Sequence, residues 1–221
     1  MERWSLANAL GMLVMTAVAG RVGELWPLSI VGVGLLGGLV LVGRGQWTPS
    51  GAFGVANVVT ALRTGGVALL PAVAGHPFWM LATSLGVLAA DGLDGWVARR
   101  SDSASAFGAF FDKEADALFV LLLSAVAVHQ GRVPLAVIGA GLLRYGFVVV
   151  VFWWDLPTKT ESRSSLARYI YGATVGALLF AFLPYPALAG PLASVATLAL
   201  AASFARSLWQ MWPRAQPSPR G

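Results

Sequence analysis

Residues 107–129 read FGAFFDKEADALFVLLLSAVAVH. The stretch is apolar from Ala117 to Val128 and carries two aspartates, Asp112 and Asp116, near its start. A helix that crosses the hydrocarbon core of a membrane needs about 20 mainly apolar residues. The stretch therefore predicts a transmembrane helix with acidic groups at one end.

The composition of the whole chain agrees with a membrane protein. Of the 221 residues, 57% are hydrophobic and 11% are charged, whereas soluble domains carry about 25% charged residues. A soluble enzyme and a disordered chain are excluded on this ground. Without cysteine, and with only two histidines, the chain has no disulfide framework, thiolate zinc site or histidine-rich metal site. We attribute the net charge of +5 to basic loops facing an anionic leaflet, and expect no nucleic-acid partner.

The fold class predicted from these features is all-α, a polytopic transmembrane helix bundle. Breaks at Pro, Gly and charged residues separate eight apolar segments: 5–20, 28–43, 52–75, 77–98, 107–129, 133–154, 166–185 and 188–210. We divide the chain into an N-terminal helical pair with an interfacial link at Trp47–Ser50 (1–50), a six-helix core (51–212) and a disordered tail (213–221).

The basic residues predict the orientation. Cytoplasmic segments of membrane proteins carry an excess of Lys and Arg. With the N-terminus inside, ten of the fifteen basic residues lie on the cytoplasmic side and two, Arg21 and Arg132, lie outside. We therefore expect both termini in the cytoplasm, in a bacterial-type plasma (inner) membrane.

Six of the ten acidic residues lie between Asp91 and Asp116. Asp91 and Asp94 are spaced i, i+3, and Asp112 and Asp116 are spaced i, i+4, so each pair lies along one helix face. The segments carrying them are joined by a short connection, so both pairs converge at the cytoplasmic membrane boundary. Four carboxylates at that distance cannot all ionise without a positive group between them.

A divalent cation site explains this cluster better than solvated loop charges do. Several carboxylate oxygens form the ligand set that Mg²⁺ or Mn²⁺ prefers, and two ions would account for four carboxylates. Small residues beside the aspartates, such as Gly92 and Gly108, leave room for a substrate or for close helix packing.

The same residues resemble a family signature. The pattern D-x2-D-G-x2-A-R-x8-G-x3-D-x3-D, typical of CDP-alcohol phosphotransferases (CDP-alcohol phosphatidyltransferases), is matched at all eight fixed positions: Asp91, Asp94, Gly95, Ala98, Arg99, Gly108, Asp112 and Asp116. The resemblance implies transfer of a substituted phosphate from a CDP-linked lipid, commonly CDP-diacylglycerol, to the hydroxyl of a small alcohol, with release of CMP. It also implies homodimerisation.

Carried over by position, the resemblance assigns roles to these residues. Asp91, Asp94, Asp112 and Asp116 look like ligands of two Mg²⁺ or Mn²⁺ ions, and Asp116 also looks like the general base. Gly95, Ala98, Arg99 and Gly108 look like residues that contact the nucleotide. The chemistry agrees, because phosphoryl transfer needs charge neutralisation, alignment and one proton acceptor.

A second match lies in the segment 52–75. Asn57, Thr60 and Arg63 follow N-x2-T-x2-R, similar to the first core helix of the family. Asn57 and Thr60 are nucleotide-binding candidates, because amide and hydroxyl groups read base or ribose edges; an ordinary interhelical contact is the alternative. An arginine within an apolar helix is costly, so Arg63 is the more informative residue.

Basic residues later in the chain predict an acceptor that carries a phosphate, such as glycerol 3-phosphate or an inositol phosphate. Guanidinium groups bind phosphate through forked donation. The candidates are Arg144, Lys159, Arg163 and Arg168. For Arg144 an aspartate of the cluster is the alternative partner, and for the other three an ordinary cytoplasmic basic loop is the alternative.

Two other functions are compatible with an acidic cluster in a membrane protein. One is a cation transporter or channel with an aspartate-lined site, although such sites usually lie near the bilayer midplane. The other is an inactive family member kept as a structural subunit, against which the intact aspartates argue.

Overall fold

The computed structural model describes residues 2–100, 105–156 and 165–212, with side chains at 3–92, 105–156 and 166–212. Across these ranges the chain forms nine α-helices and no strand. They are α1 (Glu2–Val22), α2 (Trp26–Val42), α3 (Val55–Ala68), α4 (Leu70–Val73), α5 (Pro77–Arg100), α6 (Ala106–His129), α7 (Ile138–Trp153), α8 (Ser165–Phe180) and α9 (Pro186–Met211). The predicted all-α helix bundle is confirmed.

Each predicted segment contains one principal helix, and the differences have local causes. The segment 52–75 is divided at Leu69 into α3 and the four-residue α4, because Pro71 lacks an amide hydrogen and its ring crowds the carbonyl one turn earlier. The segment 133–154 opens with a 3-10 turn at Leu135–Val137, directly after Pro134. The tail 213–221 lies outside the described residues.

Helix α6 is the centre of the bundle. It contacts α2, α3, α7 and α8, and from Ala117 to Ala127 every side chain is buried. This stretch of α6 is apolar almost all round, and such a helix is stable only when it is enclosed on all sides. Asp112 and Asp116, in the first half of α6, are therefore held by a helix that its neighbours enclose.

The outer surface of the bundle is apolar. Large side chains such as Leu62, Leu198 and Trp209 are more than two thirds exposed. Within the described residues, three helical stretches are long and apolar enough to cross a membrane: Arg3–Val22, Leu135–Trp153 and Pro186–Met211. Helices α2 and α8 are apolar but shorter. An apolar exterior of this kind is suited to lipid contact.

The N-terminal pair packs directly on the core. Helix α1 lies against α7, and α2 lies against α6 and α3. The predicted link Trp47–Ser50 is a turn whose Trp47 indole donates to the Val40 carbonyl at 2.8 Å. The link therefore folds back on α2.

At the end of the bundle far from the aspartates, side-chain hydrogen bonds of Gln130 and Arg132 join segments that follow three helices. We call this group of contacts the polar clamp. The Gln130 amide donates to the Ala74 carbonyl, and the Arg132 Nε donates to Gln130 Oε1 at 2.6 Å. Arg132 also donates to the Ala181 carbonyl at 3.2 Å, and its guanidinium lies 5.2 Å from the centre of the Phe182 ring. The clamp connects the segments that follow α4, α6 and α8.

Helices α6 and α7 approach each other closely at Gly141. A Cβ atom built there would lie 2.4 Å from Leu121 Cα and 2.8 Å from Ser124 Oγ. Because backbone atoms cannot move aside as a flexible side chain does, only glycine fits at this position.

We expect Gly141→Ala to destabilise the protein by about 1–3 kcal/mol, the usual cost of overpacking. The measurement is thermal unfolding in detergent, followed by tryptophan fluorescence. Gly146→Ala on the same helix is the matched control, because its Cβ would meet nothing within 4 Å. An unchanged melting temperature in Gly141→Ala would contradict the close contact between α6 and α7.

Candidate active site

Helix α3 turns its polar residues inward. Asn57, Thr60, Arg63 and Thr64 are all buried, whereas Val55, Val58 and Leu62 on the other face are exposed. The buried positions follow the helical repeat and form one stripe. This stripe faces α5 and α6, the two helices that carry the aspartates.

Arg63 lies at the meeting point of three aspartates. Its Nη1 contacts the Asp91 carboxylate on α5. Its Nη2 donates to Asp112 Oδ1 at 2.7 Å and lies 3.3 Å from Asp116 Oδ1, both on α6. The Arg63 side chain is 2% exposed, so one buried guanidinium connects three helices through charge-assisted hydrogen bonds.

The three carboxylates form a group that could hold a metal ion. One oxygen from each of Asp91, Asp112 and Asp116 lies within 4.8 Å of the others. Their side chains are 42%, 27% and 30% exposed, which leaves a path for an ion. One guanidinium does not neutralise three carboxylates, so this group of four residues retains excess negative charge. Hard oxygen ligands with excess negative charge fit Mg²⁺ or Mn²⁺.

The predicted nucleotide-side residues Gly108 and Asn57 are in contact. A Cβ at Gly108 would lie 3.0 Å from Asn57 Oδ1 and 3.2 Å from Ser105 Oγ, so a larger residue would push the two helices apart. The Asn57 amide donates to the Phe53 and Trp47 carbonyls at 2.6 and 3.2 Å. Ser105 donates to the same Trp47 carbonyl at 2.6 Å and caps α6 by accepting from the Gly108 amide.

Thr60 completes the predicted pair on α3. Its hydroxyl donates to the Ala56 carbonyl at 3.1 Å and its side chain is buried. In the structure the Asn57 amide thus holds the start of α3 against the link, whereas the Thr60 bond to Ala56 lies within α3. Their role in nucleotide binding stays a prediction.

Several predicted residues are only partly described or lie outside the description. Asp94, Gly95, Ala98 and Arg99 lie on α5, but their side chains fall outside the described residues. Lys159 and Arg163 are in the undescribed range 157–164.

Arg144 contacts a residue that the sequence analysis did not consider as its partner. Its Nη2 donates to Glu114 Oε1 at 2.7 Å. Glu114 is 1% exposed and also accepts from the Asn8 amide of α1 at 2.8 Å. The structure therefore places Arg144 against Glu114, on another face of α6 from Asp112 and Asp116.

Arg168 is exposed in the first turn of α8. One turn later Tyr171 lies within electrostatic range of Asp116 and Asp91. Residues spaced i, i+3 share a helix face, so Arg168 lies on the face of α8 that carries Tyr171. Tyr171 was missed in the sequence analysis, because nothing local distinguishes it from the other aromatic residues.

The comparisons with known proteins agree with this geometry. The family model for CDP-alcohol phosphatidyltransferase matches residues 53–209, and the chain belongs to this family. The family defines the class: an integral membrane transferase of phospholipid synthesis. No curated protein and no solved structure matched the chain.

The family is divalent-metal dependent in general, and the Asp91, Asp112 and Asp116 group fits such an ion by its ligand type and spacing. The family match begins after α2. Residues 1–52, which include the Asn8 contact to Glu114, are thus outside it.

We expect Arg63→Met to lower the metal-free stability by about 2–3 kcal/mol, somewhat less than the 3–5 kcal/mol for removing one partner of a fully buried ion pair. The carboxylates are partly exposed, which reduces the cost. Because the freed carboxylates repel one another, added Mg²⁺ should raise the melting temperature more in this variant than in the wild type.

The measurement is thermal unfolding with and without Mg²⁺. Arg206→Met is the control, since Arg206 is exposed on α9. Equal metal-free melting temperatures for Arg63→Met and the wild type would show that Arg63 does not hold the carboxylates together.

Proposed function

We propose that this protein transfers a substituted phosphate, phosphatidyl when the donor is CDP-diacylglycerol, from a CDP-linked lipid to an alcohol hydroxyl and releases CMP. The observation that carries the proposal is the group of Asp91, Asp112 and Asp116, with ligand oxygens within 4.8 Å of one another in a chain of this family. The family is one of enzymatic transferases, which favours this reading over the alternative of a cation transporter or channel with an aspartate-lined site.

The aspartates would bind the metal ions, and the ions would bind the diphosphate of the donor. Asp91, Asp94, Asp112 and Asp116 are the proposed ligands of two Mg²⁺ or Mn²⁺ ions. When bound, the ions would neutralise the diphosphate and the departing CMP oxygen. Gly95, Ala98, Arg99 and Gly108, with Asn57 and Thr60, would line the nucleotide side.

Asp116 is the proposed general base. Its Oδ1 lies 3.3 Å from Arg63 Nη2 and its side chain is 30% exposed, so an acceptor hydroxyl could reach it. The acceptor hydroxyl would give its proton to Asp116 while its oxygen bonds to the phosphorus. The bond between that phosphorus and the CMP oxygen breaks, and its electrons leave with CMP.

The acceptor is proposed to carry a phosphate. Arg168, one turn before Tyr171 on the same face of α8, is the candidate best supported by position. Lys159 and Arg163 would act with it. Arg144 is the weaker candidate, because its Nη2 is engaged by Glu114.

The proposal includes an inner-membrane location with a cytoplasmic active site. The positive-inside rule supports it, since Arg168 and most other basic residues fall in segments that the predicted topology places in the cytoplasm. A homodimer is part of the proposal on family grounds.

We expect Asp116→Asn to reduce CMP release by at least about 100-fold, since general-base catalysis contributes about 10²–10⁴-fold. Binding of the CDP-linked donor should be largely retained. The assay contains purified protein, Mg²⁺ or Mn²⁺, CDP-diacylglycerol and candidate acceptors. Asp155→Asn is the control, because Asp155 is exposed and its φ of 46° suits asparagine. CMP release that survives Asp116→Asn would refute the base assignment.

We expect Arg168→Ala to raise KM for a phosphorylated acceptor about tenfold, the value of one charged hydrogen bond, with KM for the donor unchanged. Steady-state kinetics with glycerol 3-phosphate and with inositol phosphate measure this. Arg206→Ala serves as the matched exposed control on α9. If KM is unchanged for every phosphorylated acceptor that reacts, Arg168 does not bind the acceptor phosphate.

A further inference from the structure

A buried polar network lies behind the candidate active site. Asn8 of α1 donates to Glu114 Oε2 at 2.8 Å, and Arg144 of α7 donates to Glu114 Oε1 at 2.7 Å. Asn8 and Glu114 are 3% and 1% exposed. Both carboxylate oxygens are thus held, each by a different helix.

The contacts of Glu114 restrict the rotation of α6 about its own axis. Successive residues of a helix are about 100° apart, so Asp112 and Asp116 share a face, and Glu114 points about 160° away from each of them. The aspartates face Arg63 and Asp91, while Glu114 faces α1 and α7. A rotation of α6 that moved the aspartates would break the Glu114 contacts.

The network is a poor source of stability. A buried ion pair contributes little compared with apolar packing, since its desolvation costs about as much as the attraction returns. Among the described residues, the buried Nε of Arg144 also has no hydrogen-bond partner, which adds to the cost. A network of this kind is better explained by the geometry that it imposes.

We propose that Glu114 is a positioning residue: held by Asn8 and Arg144, it sets the orientation of Asp112 and Asp116 toward the metal. The inference rests on the proposed function. It gives the N-terminal pair, which lies outside the family match, a part in the catalytic geometry, because Asn8 holds α6 from outside the core.

The test measures Mn²⁺ affinity by calorimetry on the full chain in detergent, together with kcat and KM. Asn8→Leu is the decisive variant, because it removes one hydrogen bond and leaves every charge in place. Mutation of a group that orients a metal ligand usually costs about 10–100-fold in affinity, and we expect at least the lower value. KM for the acceptor should change little.

Three further variants separate positioning from other effects. Glu114→Gln should weaken Mn²⁺ binding at least as much as Asn8→Leu does. Arg144→Lys, which preserves the charge, should weaken Mn²⁺ binding less than Glu114→Gln does. Thr16→Val is the matched control on α1: Thr16 is also buried, and its hydroxyl donates to Met12 within the same helix.

The outcomes are distinguishable. If the wild type binds no Mn²⁺, the proposed function fails. If the wild type binds Mn²⁺ and folded Asn8→Leu binds it equally well, only the positioning role of Glu114 fails. Because Asn8→Leu keeps the Glu114–Arg144 ion pair, it decides the question even if Glu114→Gln does not fold.

Discussion

The site depends on the neutralisation of like charges inside an apolar bundle. Asp91, Asp112 and Asp116 come from two helices and converge on the Arg63 guanidinium of a third. In a low-dielectric interior, neighbouring carboxylates repel strongly and a buried guanidinium needs partners. The guanidinium supplies the positive charge that the carboxylates need, and the carboxylates supply its partners. The packing of α3 against α5 and α6 therefore depends on charge as well as on apolar contact.

Much of the fold could be predicted because membrane helices are determined by local composition. A run of about 20 apolar residues must form a helix in lipid, since no water is available to its backbone. The segment 107–129 became α6 almost unchanged. The break at Leu69 is less predictable, because a proline in a membrane helix either bends it or divides it, depending on its neighbours.

The site could be predicted where the spacing of residues along one helix determines which side chains share a face. Asp112 and Asp116 share a face by their separation alone, and the short connection between their helix and that of Asp91 predicts that the three lie close together. Partners that depend on distant parts of the chain could not be predicted. Glu114 lies 106 positions from Asn8 and 30 from Arg144, and no local pattern links them. Arg63 stood out because a charged side chain in an apolar helix is energetically costly. The acidic residues that it contacts depend on the tertiary structure and could not be predicted from the sequence.

The polar clamp at Gln130 and Arg132 makes the two ends of the bundle mechanically different. At that end, hydrogen bonds to main-chain carbonyls at Ala74 and Ala181 fasten neighbouring helices. About 21–27 Å away along α6, at Asp116 and Asp112, the helices are joined by charged side chains instead. On the proposed function, motions that admit a substrate are expected where the aspartates lie, and the clamped end is expected to move less.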